Sequence, residues 1–230
     1  MNNHEEINEI RKKLERMKED IKAKQLSEYT KVIYNIDMVK GFVDFGAMAN
    51  PMYRVLIAEQ LKIMFDLLPD NEALNFIGEG HKKDATEFLN YPKHCLLNTP
   101  EAEFIEEFKP FLELPNTRIY RKNSINGMLN HQVRKALEDM QNLKEIIFMG
   151  VCEDLCVMDF ARTCARYLDE INRKVNMFVV ANTVDTFDAP NHNREEWKKI
   201  ARMVMEQAGI TYVENYEELK EREKVLKLTK

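Results

Sequence analysis

The chain has 230 residues, 44% hydrophobic and 32% charged, which suits a globular protein with a sizeable core and argues against wholesale disorder. Its 34 basic and 39 acidic residues give a formal charge of −5, so no global positive field draws it to nucleic acid or anionic lipid, and neither is an expected partner. No apolar run approaches a membrane helix, the opening MNNHEEINEIRKKLERMKED is too charged for a secretory signal, and four cysteines are too few and too unevenly spread for a disulfide framework, so a reducing cytoplasm is the expected compartment.

Residues 3–25 lack Gly and Pro, and Ile7, Ile10, Leu14, Met17 and Ile21 recur at steps of three and four. That spacing predicts a helix with one narrow apolar stripe, which suits a helix on its own domain as well as an oligomer contact. Short β-branched runs then alternate with helical segments. Strands are expected at 31–37, 74–80, 117–122, 145–150, 175–182 and 210–213, with helices at 51–68, 127–142, 154–171 and 193–208. Such alternation predicts a three-layer α/β/α fold with a central, mostly parallel sheet. The expected organisation is a helical extension, 1–28, followed by one α/β domain, 29–230. Segment 82–115 breaks the pattern with Pro92, Pro100, Pro110 and Pro115, and long irregular insertions tend to be functional.

In a parallel α/β sheet, ligands bind beyond the carboxyl ends of the strands. Asp37 closes the first strand, Lys122 closes TRIYRK, and Cys156 follows EIIFMG in the first turn of the next helix. Taken singly, each is an ordinary cap, surface or core residue. Together at one sheet edge they form a candidate nucleophile, a cation that would favour its thiolate, and a carboxylate base. A second constellation lies in GEGHKKDATEFLNYPKHC (78–95), where His81 and His94 stand with Glu79, Asp84 and Glu87. Histidine with carboxylate suits Zn, Fe or Mn, although acids in loops are commonly just solvated. His192, at a helix start in DAPNHNREEW, reads as a cap-region residue.

Five segments, in order over residues 30 to 214, resemble the isochorismatase-like cysteine hydrolases, specifically the nicotinamidase (pyrazinamidase) branch. They are VIYNIDMVKGFVDFGAMA, HKKDATEFLNYPKHCLLNTPEAEF, RKNSINGML, FMGVCEDLCVMDFARTCA and VVANTVDTFDAP. The resemblance implies a catalytic triad of Asp37, Lys122 and Cys156, and a cis peptide at Val151–Cys152 with an oxyanion hole from the N–H groups of Cys152 and Cys156. It implies substrate aromatics at Phe42 and Tyr91, and one divalent transition metal (Zn, Fe or Mn) on Glu79, His81, Glu87 and His94. The expected activity is hydrolysis of nicotinamide to nicotinate and ammonia, with another small amide or carbamoyl compound as the alternative. Departures from the family pattern are Glu79 for the usual Asp, Glu87 for a frequent His, Cys152 for a small residue, and Asn98 and Glu101 where glycines are usual.

Overall fold

A computed structural model describes residues 3–228. The elements run α1 (Asn3–Met17), β1 (Lys31–Ile36), α2 (Lys40–Val43), α3 (Ile57–Asp66), β2 (Ala73–Glu79), α4 (Lys109–Leu112) and β3 (Thr117–Lys122). They continue with α5 (His131–Asp139), β4 (Glu145–Val151), α6 (Met158–Glu170), β5 (Asn176–Asp185), α7 (Arg194–Gln207), β6 (Thr211–Val213) and α8 (Tyr216–Leu228). The strands form one sheet in the order β3-β2-β1-β4-β5-β6, every pairing parallel. β2 and β4 are buried along their whole lengths, which is why they read as continuous apolar runs rather than as alternating ones.

Both faces of the sheet are covered. One face packs against α1, α3 and the segment around Phe104, Phe108 and Phe111. The other packs against α5, α6 and α7 through Leu137, Phe160, Leu168 and Met205. This is the expected three-layer arrangement. No helix among the described residues is long and apolar enough to cross a membrane.

α1 lies on α3, with Ile10 and Leu14 in the same apolar cluster as Leu61 and Met64. It stops at Met17, well short of the expected residue 25. Beyond Met17 the backbone finds other partners: Lys22 N–H donates to Asn71 Oδ1 at 2.5 Å and Lys24 N–H to the Tyr29 hydroxyl at 3.1 Å. Ile21 still reaches the core from this irregular stretch, so the apolar stripe outlasts the helix. Segment 82–115 is indeed irregular, built of short 3-10 turns and α4. α8 was not expected; only Tyr216 and Leu219 of its described side chains are buried, too few to mark an apolar stripe.

The chain leaves β1 toward β2 on one side and later places β4 on the other. The strand order therefore reverses between β1 and β4, where a crevice opens at the carboxyl edge. Gly150 makes this junction possible. It pairs with Ile36 at φ +121°, and a Cβ there would sit 1.9 Å from the Ile36 carbonyl oxygen.

Candidate active site

Four neighbouring strands deliver the polar groups to this edge. Asp37 follows β1 directly, at φ 56°, its N–H bonded to the Ile77 carbonyl at 2.8 Å. Glu79 ends β2 and Lys122 ends β3, and the two are register partners. β4 leads through a cis Val151–Cys152 peptide into a π-helical turn, Glu153–Val157, that precedes α6 and holds Cys156. The N–H groups of Leu155 and Val157 both donate to the Cys152 carbonyl, on either side of Cys156.

The side chains converge. Lys122 Nζ lies 2.8 Å from Asp37 Oδ2, 2.7 Å from Glu79 Oε1 and 3.6 Å from Cys156 Sγ. Cys156 Sγ lies 3.8 Å from Glu79 Oε1, and the Glu79 N–H donates to Asp37 Oδ1 at 2.9 Å. All four residues are buried. Burial raises the Asp37 carboxyl to about 6, against the pull of Lys122. Burial also lifts the Cys156 thiol well above its ordinary value, with Lys122 opposing. Burial would lower Lys122, but Asp37, Cys156 and Glu79 outweigh it and hold the ammonium well above the usual lysine range.

Glu79 carries the site across to a second group. Its Oε2 lies 2.9 Å from His81 Nε2 and 2.8 Å from His94 Nε2. Burial would raise its carboxyl, but Lys122 and the two imidazoles hold it well below the usual range. Glu87 Oε1 stands farther off, 3.7 Å from His81 Nε2, while Glu87 Oε2 accepts from the Ile125 N–H at 3.0 Å. One ligand atom from each of Glu79, His81, Glu87 and His94 falls within 4.8 Å of the others. His94 Nδ1 is 2.7 Å from the Pro92 carbonyl, which places a proton there and turns the other ring nitrogen to the centre of the cluster. His81 Nδ1 is buried and without a partner. Two imidazole nitrogens and carboxylate oxygens facing one point fit a borderline divalent transition metal. Phe42 and Phe88 wall the cluster, their rings 5.4 Å and 5.8 Å from that of His94. Asp84, the remaining acid in the segment, is not part of this group.

The two aromatic candidates separate. Phe42 lines a cleft together with Met48, Tyr53, Cys152, Phe187 and Arg194. Tyr91 lines a separate recess with Glu87 and Asp159. Tyr53, Phe187 and Arg194 come from distant segments, and no local sequence pattern marks them. Tyr53 Oη lies 3.3 Å from Cys152 Sγ, both buried. All four cysteines are free thiols. Asn98 adopts φ 65°, a left-handed conformation that asparagine tolerates better than most, so it can stand in for glycine. The Glu101 carboxylate accepts from the Cys95 N–H at 2.8 Å, bracing the loop that follows His94.

Residues 5–211 match the isochorismatase domain family. The chain is 25% identical to nicotinamidase 1 of Arabidopsis thaliana over 177 residues, 71% of this chain and 72% of that protein. Among solved structures, it superposes on the pyrazinamidase/nicotinamidase of Streptococcus mutans with a TM-score of 0.69 at 15% identity, covering 80% of this chain and 100% of that one. It superposes on the pyrazinamidase of Pyrococcus horikoshii in complex with zinc with a TM-score of 0.63 at 22% identity, covering 80% and 98%.

Proposed function

Because the chain belongs to the isochorismatase domain family, we propose that its buried Asp37–Lys122–Cys156 group is the machinery of an amidohydrolase of the nicotinamidase type, converting nicotinamide to nicotinate and ammonia as in NAD salvage. The observation that carries this reading is Glu79, whose two oxygens touch the triad lysine and the histidine pair at once. A site built to anchor a ring beside a thiol needs that adjacency. The identity to a nicotinamidase and the zinc bound by a similar pyrazinamidase support it.

Asp37, raised to about 6, accepts the Cys156 proton as the thiol attacks. Lys122, 3.6 Å from the sulfur, balances the developing thiolate. The thiolate adds to the amide carbon, and the oxyanion turns to the N–H groups of Cys152 and Cys156. Asp37 returns its proton to the departing ammonia. It then takes a proton from water, which hydrolyses the thioester. Phe42 sits where it can hold the flat ring between the cleft and His94. A divalent transition metal on Glu79, His81, His94 and Glu87 would supply a Lewis-acidic anchor for the ring nitrogen, serving orientation.

Ammonia release from nicotinamide, measured beside a panel of aliphatic amides and carbamoyl compounds, tests the reading. A kcat/KM for nicotinamide at least about tenfold above the panel is expected. Turnover confined to a carbamoyl compound would replace nicotinamide as the substrate while keeping the triad.

A further inference from the structure

The network around His192 takes no part in the chemistry above. Asp154 stands in the nucleophile turn, two residues before Cys156, and only 1% of its surface is exposed. Its Oδ2 accepts from His192 Nε2 at 2.7 Å, and its Oδ1 accepts from the Thr186 hydroxyl. His192 Nδ1 faces the Phe187 carbonyl at 3.1 Å. The imidazole lies flat between two rings: Phe187 at 3.9 Å and 10°, and the indole of Trp197 at 5.0 Å and 3°. Phe187 lines the cleft that also contains Phe42 and Cys152.

One side chain thus grips two parts of the site. Through Asp154 it holds the turn that carries the nucleophile, and through Phe187 it holds a wall of the cleft. Helix capping does not account for it: α7 is capped by Asn193, whose side chain accepts from the Glu196 N–H at 3.0 Å. A buried carboxylate stripped of its donor is costly, so the turn depends on this bond. Three stacked, nearly parallel rings form a rigid backing for whatever lies in the cleft.

We propose that His192 is a positioning residue for the amide hydrolysis, setting the nucleophile turn through Asp154 and presenting Phe187 as the wall that selects a flat aromatic amide. The proposal rests on the amidohydrolase reading above and adds a determinant of its substrate class.

The two grips can be separated. His192→Gln keeps an N–H for Asp154 and removes the stacked ring. His192→Phe keeps the ring and removes the donor. For nicotinamide, the first is expected to raise KM about fivefold to tenfold with kcat within about twofold. The second is expected to lower kcat at least about tenfold with KM little changed. Phe187→Leu should reproduce the KM effect of His192→Gln, and it carries the test if the His192 variants fold poorly. Trp197 is the sole tryptophan, so its fluorescence reports on the stack. In Cys156→Ala protein, nicotinamide should change that emission, and adding His192→Gln should abolish the change. Calorimetric titration of the same Cys156→Ala protein with nicotinamide separates the two readings. Binding without the KM and kcat split overturns the role of His192 alone. Absence of binding overturns the nicotinamide reading and this proposal with it. Equal losses in KM and kcat for both His192 variants, matched by lowered melting temperatures, would reduce His192 to a structural prop.

Discussion

Glu79 and Lys122 end adjacent parallel strands as register partners, and their side chains close an ion pair of 2.7 Å at the bottom of the crevice. The same lysine holds Asp37 at 2.8 Å, and the same glutamate holds His81 and His94. The triad and the nitrogen-oxygen cluster are therefore one connected polar unit. Losing either partner leaves the other buried with less compensation.

Metal content should follow this cluster. Protein purified without chelator is expected to carry close to one equivalent of Zn, Fe or Mn by elemental analysis. His94→Ala should retain less than about a tenth of that, and chelation should abolish turnover until metal is restored. Glu79→Gln should lose metal and slow the reaction even when metal is supplied in excess, because Lys122 then keeps only Asp37.

Cys156, Asp37 and Lys122 should behave as a unit. Cys156→Ala is expected to cost at least about a thousandfold in kcat, Asp37→Asn nearly as much, and the double variant little more. Peptide mapping of a trapped acyl-enzyme should place the adduct on Cys156. An adduct on Cys152, whose thiol burial pushes up to about 12, would contradict the assignment.

Gly150→Ala should prevent normal folding. The new methyl would stand 1.9 Å from the Ile36 carbonyl oxygen, in backbone that cannot retreat without opening the β1–β4 ladder. The residue also sits at φ +121°, a region closed to alanine. Loss of soluble protein, or a fall of more than about 10 °C in melting temperature, is the expected result.

Glu153 gives a pH dependence of stability. Burial raises its carboxyl to about 7, and its Oε1 accepts from the Tyr212 hydroxyl at 3.0 Å while Oε2 has no partner. The folded state keeps the proton up to about pH 7, whereas the unfolded chain releases it near the ordinary glutamate value of 4.5. The contribution of this group is thus fully present below pH 4.5 and lost as pH rises to 7, a cost of at most about 3 kcal/mol. Glu153→Gln should raise the melting temperature at pH 8 and leave it nearly unchanged at pH 4. An equal rise at both pH values would rule out protonation as the cause.

What could be read in advance follows from what strands reveal. Asp37 is legible because it terminates the apolar run of β1, and Lys122 because it ends TRIYRK, a short β-prone run, so the ends of both strands are visible in one dimension. The cluster on His81, Glu87 and His94 is made by a loop with no period, so residue type alone suggests it and family resemblance supplies its ligand set. The end of α1 at Met17 is set by hydrogen bonds to Asn71 and Tyr29, partners that local periodicity does not see. His192 looked like a helix-start residue because it is one; its bond to Asp154 spans 38 positions.

β3 and β6 form the two borders of the sheet, and they differ in how they meet other chains. β6 spans three residues, too short to template much pairing. β3 is twice as long and has Ile119 partly open, yet Arg118 and Arg121 flank it and lie over the rings of Tyr29 and Phe104, at 5.1 Å and 4.7 Å. Their side chains alternate across the pleat, so each face of the border carries a pinned guanidinium. A strand arriving there would meet positive charge above and below. Self-association by continuing the sheet is thereby disfavoured on both sides, which leaves helical surfaces as the ground on which two copies of this chain could meet.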